Sequence, residues 1–268
     1  MMNIFDAALA LTPTAQGKYQ GATHPDWENM VGPFGGLTAA VVLNAIMLDA
    51  RRLGDPISLS VNFCAGVAPG PYQIEVIPAR TNRSTQHWTM TLSQEGQVVI
   101  TATAVTAERR ETWSACDAVM PALGQPSDYP ISANTPLEWT KRYQMRPIQG
   151  ALPSVWDGTE SSSLTQQWVR ESQPRPLDLL SLTALCDSFF PRVYLRRAKL
   201  VPIGTVSMTC YFHWNNAQLA SQVKAADYLL CQSHGQTFNN GFFDQTGLLW
   251  SEQGVLLAST SQIVYYKE

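Results

Sequence analysis

The stretch LDLLSLTALCDSFF, residues 177–190, decides how the rest of the chain is read. Wound as a helix it is apolar on every side (Leu177, Leu179, Leu180, Leu182, Ala184, Leu185, Phe189, Phe190), the pattern of a helix covered all round. Pro176 suits a helix start, where its missing N–H costs nothing, and Pro191 forces the residue before it out of the α region. The spacing therefore predicts roughly four turns. Asp187 interrupts the apolar run. Burying an ionised carboxylate without partners costs on the order of several kcal/mol, so Asp187 must be exposed at the helix end, paired, or lining a polar cavity.

A second apolar helix is predicted over residues 37–53, LTAAVVLNAIMLDARRL, stopped by Gly54 and Pro56. It follows GPFGG, residues 32–36. Glycines at a helix entrance admit a close backbone or a ligand, and the free N–H groups there attract negative charge; tight packing of the turn is the alternative use. Neither GxGxxG nor GxxxxGK[ST] occurs, so dinucleotide and P-loop sites are excluded.

Four β-branched and aromatic runs come next, at 57–67, 71–82, 85–94 and 97–108, joined by short turns and read as an antiparallel meander. Residues 109–139 carry Pro121, Pro126, Pro130 and Pro136 with little periodicity, a connector with short helical pieces. Strand-like residues resume at 137–145 and 164–172; beyond the 177–190 helix lie further runs at 204–214, 228–238, 241–250 and 254–266. Helix followed by four strands thus occurs twice. Leu37-Thr38-Ala39 matches Leu182-Thr183-Ala184, which sets Val42 opposite Asp187 and implies one catalytic set per chain. The expected architecture is α+β: unit 1–108, connector 109–136 and unit 137–268, their sheets joined around two central helices. At the N-terminus Phe5, Ala7, Leu9 and Leu11 are weakly patterned, and a short strand and turn are expected up to Trp27.

Composition narrows the function. Of 268 residues 15% are charged, against about 25% in an ordinary soluble domain, so surface buried between subunits and a homo-oligomer are expected. The net charge is −3 and cationic residues cluster only in pairs, which argues against nucleic acid. Five cysteines, odd in number and scattered, read as free, buried thiols of a reducing, cytoplasmic compartment. The first cation is Lys18 and no run nears eighteen apolar residues, so neither signal peptide nor membrane span is expected. There is no GxSxG, HExxH or CxxC, which disfavours a serine hydrolase or a metal site; His213 and His234 lie in strand-like runs as structural histidines.

Three motifs of the second half, ALCDSFFP around Asp187, GTVSMTCYFH from Gly204 and LASTSQ ending at Gln262, resemble the acyl-CoA thioesterase II family. GPFGG is similar to that family's glycine pair. The resemblance implies a double hotdog fold and hydrolysis of acyl-CoA with no cofactor and no metal. By position it makes Asp187, Thr205 and Gln262 the holders of the hydrolytic water. Gly35 and Gly36 would supply oxyanion N–H groups from the other half. The residues themselves allow this chemistry, since a partly buried carboxylate becomes a better base and a hydroxyl and a carboxamide can orient one water. A non-catalytic acyl-CoA or lipid-binding protein, or a hydratase on the same fold, are the competing readings.

Overall fold

A computed structural model of the protein describes residues 3–133 and 135–268. After a short helix α1 (Ile4–Ala8) come the hairpin β1 (Thr12–Ala15) and β2 (Lys18–Ala22), helix α2 (Gly35–Met47), and strands β3 (Asp55–Phe63), β4 (Pro71–Thr81), β5 (Thr85–Gln94) and β6 (Gln97–Ala107). The second set is β7 (Tyr143–Gln149), β8 (Thr165–Glu171), α3 (Leu179–Leu185), α4 (Arg192–Arg197), β9 (Ile203–Phe212), α5 (Asn216–Gln222), β10 (Leu229–His234), β11 (Phe238–Asn239), β12 (Phe242–Ser251) and β13 (Leu256–Tyr266).

The strands form one antiparallel sheet ordered β1-β2-β4-β5-β6-β3-β9-β13-β12-β10-β8-β7, with β11 paired to β12. Read outward from the β3–β9 seam, the two arms have the same connectivity: β3, β6, β5, β4, β2, β1 against β9, β13, β12, β10, β8, β7. The repeated helix-and-meander pattern is therefore a topological repeat. The fold is a double hotdog of the α+β class, and α2 packs against α3 inside the wrapped sheet.

Strand alternation explains the wrap. On β5 the buried residues are Gln86, Trp88, Met90 and Leu92, and on β12, up to the register shift after Leu249, Phe243, Gln245 and Leu249 with Gly247 between them, so one face of each strand meets the helices. Helix α2 is buried from Gly36 to Ile46 except at Asn44, whose Nδ2 donates to the Leu9 carbonyl at 2.9 Å. The two helices also share a detail: Thr38 Oγ1 donates to the Phe34 carbonyl and Thr183 Oγ1 to the Leu179 carbonyl, both four residues back. The alignment of Leu37-Thr38-Ala39 with Leu182-Thr183-Ala184 thus holds in space.

Several boundaries move. The 177–190 helix is cut to residues 179–185. Asp178 caps its start, its Oδ1 accepting from Ser181 N at 2.8 Å while Ser181 Oγ accepts from Asp178 N. At the other end Asp187 N and Ser188 N bond three residues back, to Ala184 and Leu185, and Ser188 Oγ also donates to Leu185 O. The first helix starts two residues earlier than residue 37 and stops at Met47; Asp49 bonds the Arg51 backbone and guanidinium in the turn that follows. The short strand and turn expected up to Trp27 are β2 and a 3₁₀ turn at Pro25–Trp27, whereas α1 and α5 stand where no element was expected and residues 138–142 are a 3₁₀ turn. Cys186, Cys210 and Cys231 are buried, but Cys64 and Cys116 are exposed, so the expectation of buried thiols fails for these two. Among the described residues no helix is long and apolar enough to cross a membrane.

Candidate active site

Because α3 ends early, Asp187 leaves the helix and reaches the N-terminus of α2. Its Oδ1 accepts from Gln262 Nε2 at 2.7 Å, and the Gly36 backbone N–H lies against the same carboxylate. The N-cap position of α2 is Phe34, whose side chain can offer no cap, so the first N–H groups of the helix remain open to an outside acceptor. The positive end of α2 and the Gln262 amide favour the ionised carboxylate. Burial outweighs them and pushes the Asp187 pKa up from 3.8 to about 7, within the working range of a general base at neutral pH.

Both glycines at this helix entrance are fitted against the other half. A Cβ on Gly36 would lie 2.5 Å from the Ala184 carbonyl and 2.7 Å from the Phe34 ring, so glycine permits the approach of α2 to α3. A Cβ on Gly35 would lie 2.9 Å from Asp187 Oδ2. Gly35 is thus the residue whose missing side chain leaves room for the carboxylate.

Thr205 arrives by a different device. On β9 the buried residues are Met208, Cys210 and Phe212, and strict alternation would turn Thr205 to the outer face. The pairing slips by one residue, with Ser207 opposite Ile263 but Thr205 opposite Val264, leaving Val206 unpaired and exposed. This bulge puts Thr205 on the same face as Val264 and Gln262. Gln262 is buried on β13, opposite Met208 of β9 and Gln245 of β12.

Two cavities meet at these residues. One, of about 320 Å³, is bordered by Pro33, Gly35, Thr38, Cys64, Gly66 and Tyr265. The other, of about 390 Å³, is walled by Phe34, Trp139, Trp156, Phe190, Tyr194 and Leu200. Asp187 and Thr205 line both, whereas Gln262 and Gln245 line only the second. The structure therefore gathers Asp187, Thr205, Gln262 and Gly35 at one junction, while Gly36 meets the carboxylate itself. Such a junction offers a base, a hydroxyl, a carboxamide and helix N–H groups around one point, with an apolar chamber on one side.

Sequence reading missed two neighbours. Arg192 is fully buried; its Nε donates to Gln245 Oε1 at 3.0 Å and its Nη1 to Thr165 Oγ1 and the Ser163 carbonyl. Burial away from any carboxylate lowers its pKa to about 9. Gln245 was legible by alternation, since it shares a face with Phe243 and Leu249 and is polar where they are apolar. Arg192 carried no signal, because an arginine after Pro191 at a helix start is ordinary surface chemistry until its surroundings are known. Among the described residues no group of His, Cys, Asp and Glu is placed to hold a metal ion.

Comparison with known proteins finds matches along both halves of the chain. The model of the acyl-CoA thioesterase N-terminal domain matches residues 23–107 and that of the acyl-CoA thioesterase C-terminal domain residues 114–266. A hot dog fold protein of unknown function from Alicyclobacillus acidocaldarius is 45% identical, covering 100% of this chain and 99% of that one, with a TM-score of 0.93. The tesB protein of Mycobacterium avium subs paratuberculosis (16% identity, 98% of each chain, TM-score 0.81) and acyl-CoA thioesterase II TesB2 of Mycobacterium marinum (19%, 98% of each, 0.76) share the fold. No curated protein matches the sequence. Matched along both halves, the chain belongs to the acyl-CoA thioesterase family of double hotdog proteins.

Proposed function

We propose that the protein hydrolyses the thioester of acyl-CoA to a free carboxylic acid and CoA, with Asp187 as general base. One observation carries this reading: the Asp187–Gln262 pair stands on the wall where an apolar chamber meets a second cavity that opens beside the N-terminus of α2. The acyl group fills the chamber, the pantetheine arm runs through the second cavity, and the thioester lies at the junction. Asp187 takes a proton from water held by Thr205 and Gln262, and the water oxygen bonds to the carbonyl carbon. The carbonyl oxygen gains the negative charge and accepts from the start of α2. Since Gly36 N–H faces Asp187, the Gly35 N–H is the donor of that pair left for the substrate. When the tetrahedral intermediate collapses the C–S bond breaks, and the sulfur leaves as a thiol with the proton that Asp187 had taken. General-base action contributes roughly 10²- to 10⁴-fold and one oxyanion donor roughly 10²- to 10³-fold.

In the same reading residues 1–108 and 137–268 are two units tied by 109–136, one supplying the helix N-terminus and the other the base. The low charged fraction and the exposed apolar side chains Tyr211, Phe242 and Ile263 on the outer sheet face support a homo-oligomer, and the unpaired cysteines a cytoplasmic setting. Thiol release from a panel of acyl-CoAs is the direct test. Turnover with several chain lengths is expected; tight binding without turnover would mean an acyl-CoA-binding protein instead.

A further inference from the structure

We propose that Gln245 reads the acyl group: its side-chain amide donates to an oxygen carried on the acyl chain close to the thioester, so acyl thioesters oxygenated near the carbonyl are preferred. The inference rests on the cavity assignment just given. Arginine has donors only, so the contact of Arg192 Nε with Gln245 fixes which end of the amide is which: Oε1 faces Arg192 and the NH2 group faces away. Arg192 is itself held by Phe190, Ser163 and Thr165, so the amide is set rigidly. No described residue accepts from Gln245 Nε2, and the side chain lines the apolar chamber. A donor fixed toward such walls calls for an acceptor from whatever fills them.

Position says which oxygen. Gln245 is directly opposite Gln262 in the β12–β13 ladder, and directly opposed side chains start about 5 Å apart. Gln262 touches the base, so Gln245 lies one strand farther from the scissile bond. It is absent from the wall of the second cavity, whereas Asp187 and Thr205 line both. Its donor therefore addresses the acyl chain just beyond the carbonyl, within reach of a hydroxyl or oxo oxygen at the third carbon.

The test compares each straight-chain acyl-CoA, butanoyl to dodecanoyl, with its 3-hydroxy and 3-oxo counterparts in wild type, Gln245→Met and Gln245→Glu. Gln245→Glu keeps an acceptor for the buried Arg192 and so guards against misfolding in Gln245→Met, which removes it. Wild type is expected to favour the oxygenated member roughly tenfold or more in kcat/KM. In the variants that ratio falls toward one whatever their absolute rates, which a purely structural role would not produce. Binding of the same pairs to Asp187→Asn by calorimetry reads the preference without turnover. Equal handling of both members by wild type, or a preference that survives in the variants, overturns the inference. A binding preference with no thiol release from any pair would instead overturn the thioesterase reading and leave the assignment of Gln245 standing.

Discussion

The two central helices begin alike and are capped differently. The shared threonine contacts place Gly36 of α2 opposite Ser181 of α3, and Gly35 opposite Leu180. In α3 the Ser181 N–H is taken by Asp178, a carboxylate three residues earlier in the same segment. In α2 the N-cap is Phe34, committed to a stack on Trp139 with ring centroids 4.3 Å apart, and the Gly36 N–H meets a carboxylate from the other half. A local cap completes a helix end and closes it. A helix end faced by Asp187 instead leaves a carboxylate, two glycines and a junction between two cavities. At the position that matches Asp187, α2 carries the buried Val42, so the second junction has no carboxylate to offer. Within a duplicated fold, only one of the two matched positions carries a carboxylate.

The contrast between the helices breaks most visibly at Asp187. Asp187→Asn is expected to lower kcat by roughly 10²- to 10⁴-fold while circular dichroism stays native, because an amide of the same shape cannot take the proton. The wild-type rate should rise with pH through about 7 as the carboxylate ionises, and that limb should vanish in the variant. Thr205→Ala and Gln262→Ala remove groups that orient rather than activate and should each cost less. A wild-type rate in Asp187→Asn would end the general-base assignment.

The glycines sharpen it, since a methyl group at each meets a different object. At Gly35 the new Cβ would strike only the tip of the Asp187 side chain, which can turn away. Gly35→Ala should hold its Tm yet lose activity roughly ten- to a hundredfold, the consequence of displacing a reacting group by a fraction of an ångström to an ångström. At Gly36 it would strike the Ala184 carbonyl, which cannot move without the α2–α3 contact. Gly36→Ala should lose about 1–3 kcal/mol in chemical denaturation, whatever its activity. Equal stability of the two variants would show that α2 and α3 are not held at this distance by backbone contact.

These contrasts also mark what could be read without coordinates. Periodicity pointed to both central helices, the meanders and the repeat, and motif resemblance singled out Asp187, Thr205 and Gln262, three residues that line one cavity. Composition of 177–190 could not show that the helix starts at Leu179 and stops at Leu185, because Asp178 at one end and Ser188 at the other act through hydrogen bonds that have no hydrophobic signature. Nor could it show that Asp187 faces Gly36, a contact between segments about 150 residues apart. Thr205 is the sharper case: alternation alone turns it outward, and only the slip at Val206 brings it in. Arg192 escaped because a buried cation held by carbonyls and amides leaves no charge partner to find in the sequence, whereas Gln245 sits on the inward face by alternation alone.

The smallest effect is the most specific to the two helix ends, because removing the carboxylates that face them, Asp178 and Asp187, should change stability in opposite directions at pH 8. Asp178 is an ordinary N-cap, and Asp178→Ala should cost about 1 kcal/mol, as losses of such caps do. Asp187 has a folded-state pKa near 7, above its ordinary 3.8, so the folded chain holds that proton more tightly than the unfolded one. Stability from this group is therefore greatest below about pH 4, declines as pH rises from there, and is fully lost above about 7. An amide at this position stays neutral at every pH, as the protonated carboxyl is only at low pH. Asp187→Asn should therefore leave Tm unchanged near pH 4 and raise it at pH 8. The gain should be roughly 1–2 kcal/mol, less than the full shift implies because the carboxylate keeps some solvent exposure and is partly screened there. Thermal melts of both variants at the two pH values check it, and a loss of stability in Asp187→Asn at pH 8 would mean that the carboxylate serves α2 as a cap more than burial costs it.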